Sequence, residues 1–440
     1  MRRSEIRFRR DIEYIKKDSF VSHCKKIKEN HFTRKRKMPL KQLLLSMLNR
    51  KGLTLFMELR KFYKMINEDS GISKVGYLKQ RMKLNPEAFM DLSDFHAKNF
   101  YQDVQYLKKM NNYLILAADG SSINIPTTEE NLKLYGSSSR NGTKPQASLG
   151  VSCLYDVMNK MIIDCTINRG KFDEAEQAEK HLEKLPSITR ENKYILLLDR
   201  GYPSSPFFIR QIEAENKFLV RLKSVDFKKE QKEMTSMDEY VDIEFTKSRL
   251  RHYLGTPMGE KMQNMHSITL RLVKVKLTSG IEECLATNLT HEEFSGDEIA
   301  QMYSMRWGIE TAYDILKNKL ELENFTGTKS ILLEQDIYTS VYLCNLMQDI
   351  ILDAEEEINL KTHEKYRHQM VINRSLAIGI LKEDLIEFVL VKDDKKKTEI
   401  FEKILAEIQK NLIPIRPNRH YERTKGQLAG KYSNTHKRSY

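Results

Sequence analysis

Residues 113–120 read YLILAADG and residues 193–202 read KYILLLDRGY. Each is an unbroken apolar run closed by acidic and glycine residues: Asp119-Gly120 in the first, Asp199-Arg200-Gly201 in the second. A run this short with no polar alternation fits a strand buried on both faces, as in the middle of an α/β sheet. Asp followed by Gly fits a turn at the strand's end. A carboxylate where a central strand ends stands at the mouth of the sheet, where such folds place their ligands. Taken singly, either Asp is equally a turn or capping residue. Two in equivalent positions make a pair suited to hard divalent cations.

A third carboxylate lies in YSMRWGIETAYDILKNK, residues 303–319. Tyr303, Arg306, Glu310 and Lys317 are spaced three, four and seven apart. On a helix turning ~100° per residue they project within an arc of roughly 60°. Met302, Ile309, Tyr313, Leu316 and Leu320 form an adjoining apolar stripe that would face a core. Two readings fit the polar edge: a solvated face of Glu–Lys pairs, or a carboxylate for a metal flanked by cations for phosphates. Trp307, the only tryptophan, projects on the other flank. Packing against a neighbouring element is the commoner outcome for Trp, and stacking on DNA the alternative. Arg221 is a weaker candidate for a phosphate contact. The 11 histidines have no ligand spacing and read as surface or satisfied core residues.

These four positions match the Tyr-x2-Arg-x3-Glu-x6-Lys helix of the DDE transposases of bacterial insertion sequences, in the IS-four-type branch. Asp199-Arg200-Gly201-Tyr202 matches that branch's Asp-x-Gly-Tyr, and Asp119-Gly120-Ser121 its first acidic position. The resemblance spans about residues 110–425. The stretch from about Gly142 to Asp156 and the tail RPNRHYER share in it. The resemblance implies that Asp119, Asp199 and Glu310 are catalytic and bind Mg²⁺, with Mn²⁺ as a substitute, in a two-metal phosphoryl transfer. It implies that Tyr303, Arg306 and Lys317 bind DNA. The activity implied is metal-dependent cleavage at the element's terminal inverted repeats and strand transfer into target DNA, by cut and paste. The partners implied are double-stranded DNA and a second copy, as a homodimer in a synaptic complex. A ribonuclease H-like nuclease without strand transfer and a domesticated, noncatalytic DNA-binding protein are the alternatives.

The rest of the chain fits an α/β fold with a ribonuclease H-like core. Residues 146–156 and 160–167 read as a hairpin around Asn159, 173–185 as a helix, 203–215 as a helix opened by Pro and Ser, and 217–223 as a strand. About 75 residues before the Glu310 helix are too many for a loop. Their alternating segments read as a β-rich insertion at about 225–292, resembling a platform over the transposon end. Three domains are expected: 1–108, helical, basic and DNA-binding; 109–345, catalytic; and 346–440, helical with a basic tail.

Charge agrees. Residues 1–60 hold 18 Lys/Arg against 6 Asp/Glu, and residues 414–440 hold 7 against 1, so both ends of a chain of net charge +13 are basic. Basic ends around a mildly acidic body fit a polyanion partner. Five scattered cysteines without Cys-x2-Cys spacing argue against structural zinc and for a reducing compartment. No apolar stretch reaches the ~20 residues of a spanning helix, and no signal peptide follows the basic start. A cytoplasmic, nucleoid-associated bacterial protein with no membrane partner is expected.

Overall fold

The computed structural model describes all residues except 26–29, 34–36, 69–70, 139–144, 170–172, 277–279, 281, 321, 363–367 and 416–440. The basic cluster at 34–36, the residues just after Gly142 and the basic tail therefore lie outside the described residues. One sheet organises the chain. Its strands are β1 (Leu114–Asn124), β2 (Ser137–Ser138), β3 (Gln146–Asp156), β4 (Met161–Asn168), β5 (Tyr194–Leu198), β6 (Lys217–Leu222), β7 (Asp238–Glu244), β8 (Ser267–Lys276) and β9 (Glu282–Thr287). β1 lies between antiparallel β3 and parallel β5, β4 pairs with the far side of β3, and β6 runs parallel to β5. The order β4-β3-β1-β5-β6 is that of the ribonuclease H-like core. The hairpin around Asn159 forms as expected, its turn held by Asp156, whose Oδ1 accepts the Met158 and Asn159 amides.

Alternation along the buried strands sorts their side chains into two layers. Ile115, Ala117, Ile195 and Leu197 pack beneath Ile309, Tyr313 and the helix Ser330–Thr362, while Leu116, Ala118, Leu196 and Leu198 pack beneath helices Glu174–Thr189 and Ser205–Glu213. The result is a sheet between two helical layers. Its strands carry apolar residues on both faces, which is why they read as unbroken runs.

Three expectations are corrected. Asp119-Gly120 is not a turn: β1 continues to Asn124, paired with β3, with Asp119 opposite Cys153. The acidic residue instead marks where β1 outruns β5, since the parallel pairing ends at Ala117↔Leu197. The insertion is not a separate platform. Its strands continue the central sheet in the order β6-β9-β8-β7. A continuation covers the β6 edge, which would otherwise expose unpaired backbone groups. Finally, helix Ser330–Thr362 runs without a break through the boundary expected at 345/346.

The N-terminal helices are built into the same core. Phe8, Ile12 and Leu43–Leu45 share one apolar cluster with the Glu310-bearing layer. Several arginines that the basic composition assigned to DNA are held by carboxylates: Arg2 by Glu357 and Glu402, Arg3 by Asp353 and Glu356, Arg7 by Asp349, and Arg9 by Glu5 and Asp394. Deeper still, Asp336 accepts Arg81 Nη2 at 2.7 Å and Arg50 Nη1 at 2.9 Å, and the Thr326 amide at 3.0 Å. Asp336→Ala would leave Arg81 buried without its carboxylate. We expect it to destabilise the fold by about 3–5 kcal/mol, read as a lower denaturant midpoint with unchanged slope. A midpoint equal to the parent's would contradict this account. Among the described residues, no helix is long and apolar enough to cross a membrane.

Candidate active site

The segment around Glu310 is less regular than the spacing predicts. It runs as helix Gly296–Ser304, a 3-10 turn at Met305–Trp307, helix Gly308–Asp314 and a π-turn at Ile315–Lys319. Its start is fixed by a capping box in which Ser295 and Glu298 exchange side-chain bonds with each other's backbone amides. The expected apolar stripe is buried at Met302, Ile309, Tyr313, Leu316 and Leu320. Tyr313 Oη donates to the Asp119 backbone carbonyl at 2.7 Å, which pins this helix to β1 at the first carboxylate.

Four of the predicted residues connect in two pairs. Tyr303 Oη donates to Asp199 Oδ1 at 3.5 Å, and Arg306 Nη2 donates to Glu310 Oε1 at 3.1 Å. Strand parity puts Asp119 and Asp199 on the side of the sheet that carries Glu310. Burial, with repulsion from Glu174 and Glu310, pushes the Asp119 carboxyl up to about 6 against the relief given by the Gly120 amide and Arg306. Asp119 thus lies within electrostatic reach of Glu310 and Arg306, and Arg306 within reach of Asp199. Lys317 leaves the polar edge because of the π-turn, a wide turn often found at functional sites. Its ammonium donates to Ser121 Oγ at 2.8 Å and the Ser122 carbonyl at 2.6 Å, binding the extension of β1.

Other expectations fare differently. Trp307 is 50% exposed beside Arg306, on the flank away from the apolar stripe that its spacing indicated. Arg221 pairs with Glu283 across β6 and β9 at 2.8 Å. His181 is a satisfied core residue: its Nδ1 donates to Asp164 Oδ2 at 2.6 Å and its Nε2 takes Ser152 Oγ at 2.9 Å. That Ser–His–Asp set has the look of a catalytic relay, but all three residues are buried. It clamps helix Glu174–Thr189 onto β3 and β4.

Sequence reasoning missed two residues at the mouth. Glu174 opens that clamped helix, and its Oε2 lies 2.6 Å from where a Cβ on Gly201 would stand. A Cβ at Gly201 would make that carboxylate shift. Tyr202 is buried, yet its hydroxyl has no hydrogen-bond partner. It sits among Asp119, Glu174 and Asp199, whose charges together with burial hold the phenol strongly protonated. Neither the approach of Glu174 to Gly201 nor the orphaned hydroxyl of Tyr202 has a sequence signature.

Among the described residues, no three His, Cys, Asp or Glu side chains stand close enough to chelate one ion. The chemistry of the donor set nonetheless fits a hard divalent cation. It is all carboxylate oxygen, partly desolvated, and short of countercharge, with an orphaned phenol beside it.

Among solved structures, the synaptic complex of piggyBac transposase with hairpin DNA, determined by cryo-EM, is similar at a TM-score of 0.48 and 10% sequence identity, over 90% of this chain and 84% of that one. No curated protein sequence matches. The family model of the transposase DDE domain matches residues 111–346. That match takes in β1, β5 and the Glu310 helix, and with them all three carboxylates, so the chain belongs to the DDE transposase family.

Proposed function

We propose that the chain cleaves DNA at the terminal inverted repeats of its own element and transfers the cut strand into target DNA, by cut and paste. What supports this is the linkage of the predicted residues: Tyr303 is bonded to Asp199, Arg306 to Glu310, and both Glu310 and Arg306 act electrostatically on Asp119. Asp119, Asp199 and Glu310 would hold the divalent cations, Mg²⁺ or Mn²⁺. Bound there, such ions supply Lewis-acid activation of a water or 3′-hydroxyl and neutralise the leaving oxygen. Arg306 keeps Glu310 aimed into the mouth and can exchange part of that pairing for a phosphate oxygen. Tyr303 orients Asp199 through its hydroxyl. Lys317 stiffens β1 beyond Asp119 and lies beside the path of a strand entering the mouth. Exposed Trp307, next to Arg306, offers a face on which a base can stack.

DNA would also run along the helical N-terminal region, on basic residues outside the internal ion pairs. Arg60, Lys64 and Lys74 are exposed around one groove. Two element ends must be held together for excision, so a homodimer is expected on DNA, acting on the nucleoid in the bacterial cytoplasm.

Arg306→Ala and Lys317→Ala should retain binding to the inverted repeat but slow cleavage. Removing a charge-assisted hydrogen bond costs about 1.5–3 kcal/mol, or roughly tenfold to a hundredfold in rate. Equal loss of binding and cleavage would sink this division of labour. The assay of the whole proposal supplies Mg²⁺, a fragment carrying the inverted repeat and a target plasmid. Joining of the cut 3′ end to the plasmid supports it. Cleavage without joining under any divalent metal favours a hydrolytic nuclease. No cleavage by a folded protein favours a noncatalytic DNA binder.

A further inference from the structure

The mouth receives side chains from both helical layers. Asp119, Asp199 and Glu310 come with the layer beneath helix Ser330–Thr362, whereas Glu174 arrives from the opposite layer at the first turn of helix Glu174–Thr189. That helix is fixed at its start by Asp173, whose Oδ1 accepts the Ala175 amide at 2.8 Å and the Glu176 amide at 3.1 Å. Farther along it is fixed by the buried His181 clamp. Glu174 is therefore held on a rigid support rather than on a loose loop. Among the described residues, no hydrogen-bond donor or salt-bridge partner holds its carboxylate. Its Oε2 presses on Gly201, two residues past Asp199, where a Cβ would come within 2.6 Å.

The second observation is independent of the acids. Tyr202, only 2% exposed, points an unpartnered hydroxyl among Glu174, Asp119 and Asp199. A buried hydroxyl left without a partner is costly, and a fold tolerates this where a ligand or its bound water completes the bond. A phenol beside carboxylates donates readily to such a water.

We infer that Glu174 is a fourth carboxylate of the cation site, contributed by the opposite layer, with the Tyr202 hydroxyl holding the water or carboxylate oxygen between it and Asp199. The Glu174 carboxylate then lies against Gly201, where a Cβ would make it shift. This rests on the reading of Asp119 and Asp199 as cation ligands. It adds a residue that the three-acid set lacks and that neither spacing nor strand position indicates.

The test measures binding of Mn²⁺ alone to the full chain by calorimetry, with metal-free thermal melting as the control for folding. Glu174→Gln keeps the shape and hydrogen-bonding reach and removes the charge. It is expected to melt like the parent and to bind Mn²⁺ ~10–100-fold more weakly, the scale for removing a supporting group of a metal site. Tyr202→Phe should weaken binding by a smaller factor. Unchanged Mn²⁺ affinity and stoichiometry in Glu174→Gln, with Asp119→Asn abolishing binding, would overturn this inference and leave the three-acid reading intact. Unchanged binding in Asp119→Asn as well would overturn both. If Glu174→Gln does not fold, Glu174→Ala serves instead, because it removes the carboxylate altogether. Parent-like Mn²⁺ affinity in a folded Glu174→Ala would overturn the inference equally.

Discussion

Alanine at Asp119, Asp199 or Glu310 is expected to reduce cleavage of an inverted-repeat fragment by more than about 10²–10³-fold, the loss that follows removal of one preorganised group facing transition-state charge. The three need not behave alike in stability. Asp119 is partly desolvated and repelled by Glu174 and Glu310, which is why its carboxyl is raised to about 6. A raised acid pKa means that the fold disfavours the ionised form, so above that pH the charge detracts from stability. Asp119→Ala should therefore melt at or above the parent temperature while losing activity. Glu310→Ala releases Arg306 from its 3.1 Å pairing and should gain nothing. Inactive but undamaged protein separates a site residue from a structural one. Melting curves and DNA-binding isotherms for the three variants make the distinction. Any of them cleaving within tenfold of the parent, with Mg²⁺ or Mn²⁺, would remove that residue from the proposed set.

How much of this was legible in the sequence varies with how local the signal is. The buried strands announced themselves because central strands leave no polar alternation, and the Glu310 helix because its apolar stripe keeps its period from Met302 to Leu320. The local deviations were not legible. The 3-10 turn at Met305–Trp307, the π-turn at Ile315–Lys319 and the bond of Lys317 to Ser121 on β1 leave no trace in the residue spacing. The strand continuing past Asp119 was hidden by Gly120, which reads as a turn residue but here is paired with Ser152 of β3. Glu174 was invisible because its role depends on packing between segments distant in sequence. Composition misled most: Arg2, Arg3, Arg7 and Arg9 counted toward a DNA surface, yet their partners lie about 350–400 residues away in sequence. Charge totals carry no information on such pairing.

That last point decides what a truncation would do. Deletion of residues 1–60 is expected to abolish folding rather than to leave a catalytic body with weaker DNA binding. The deleted segment contributes Phe8, Ile12, Phe20, Leu43, Leu44, Leu45, Met47 and Leu59 to the apolar cluster beneath the Glu310 layer. Burying such a side chain is worth about 1.5–3 kcal/mol, so eight amount to about 12–24 kcal/mol, as much as or more than the roughly 5–15 kcal/mol that holds a typical domain together. The deletion also strips Arg7 from buried Asp349 and Arg50 from buried Asp336. The truncated chain should bind a hydrophobic dye and show no cooperative melting. A cooperative transition near the parent temperature would show instead that the segment is an appendage. Its part in DNA binding is better tested by leaving the core intact. Arg60→Ala, Lys64→Ala and Lys74→Ala remove exposed charges around the groove while sparing Leu59 and Tyr63 beneath it. Each phosphate that is no longer neutralised should lower the slope of log affinity against log salt by ~0.9 on duplex DNA. The triple variant should therefore melt like the parent, bind DNA more weakly at low salt, and approach it at high salt. A folded triple variant with an unchanged salt slope would place the DNA path elsewhere on the molecule.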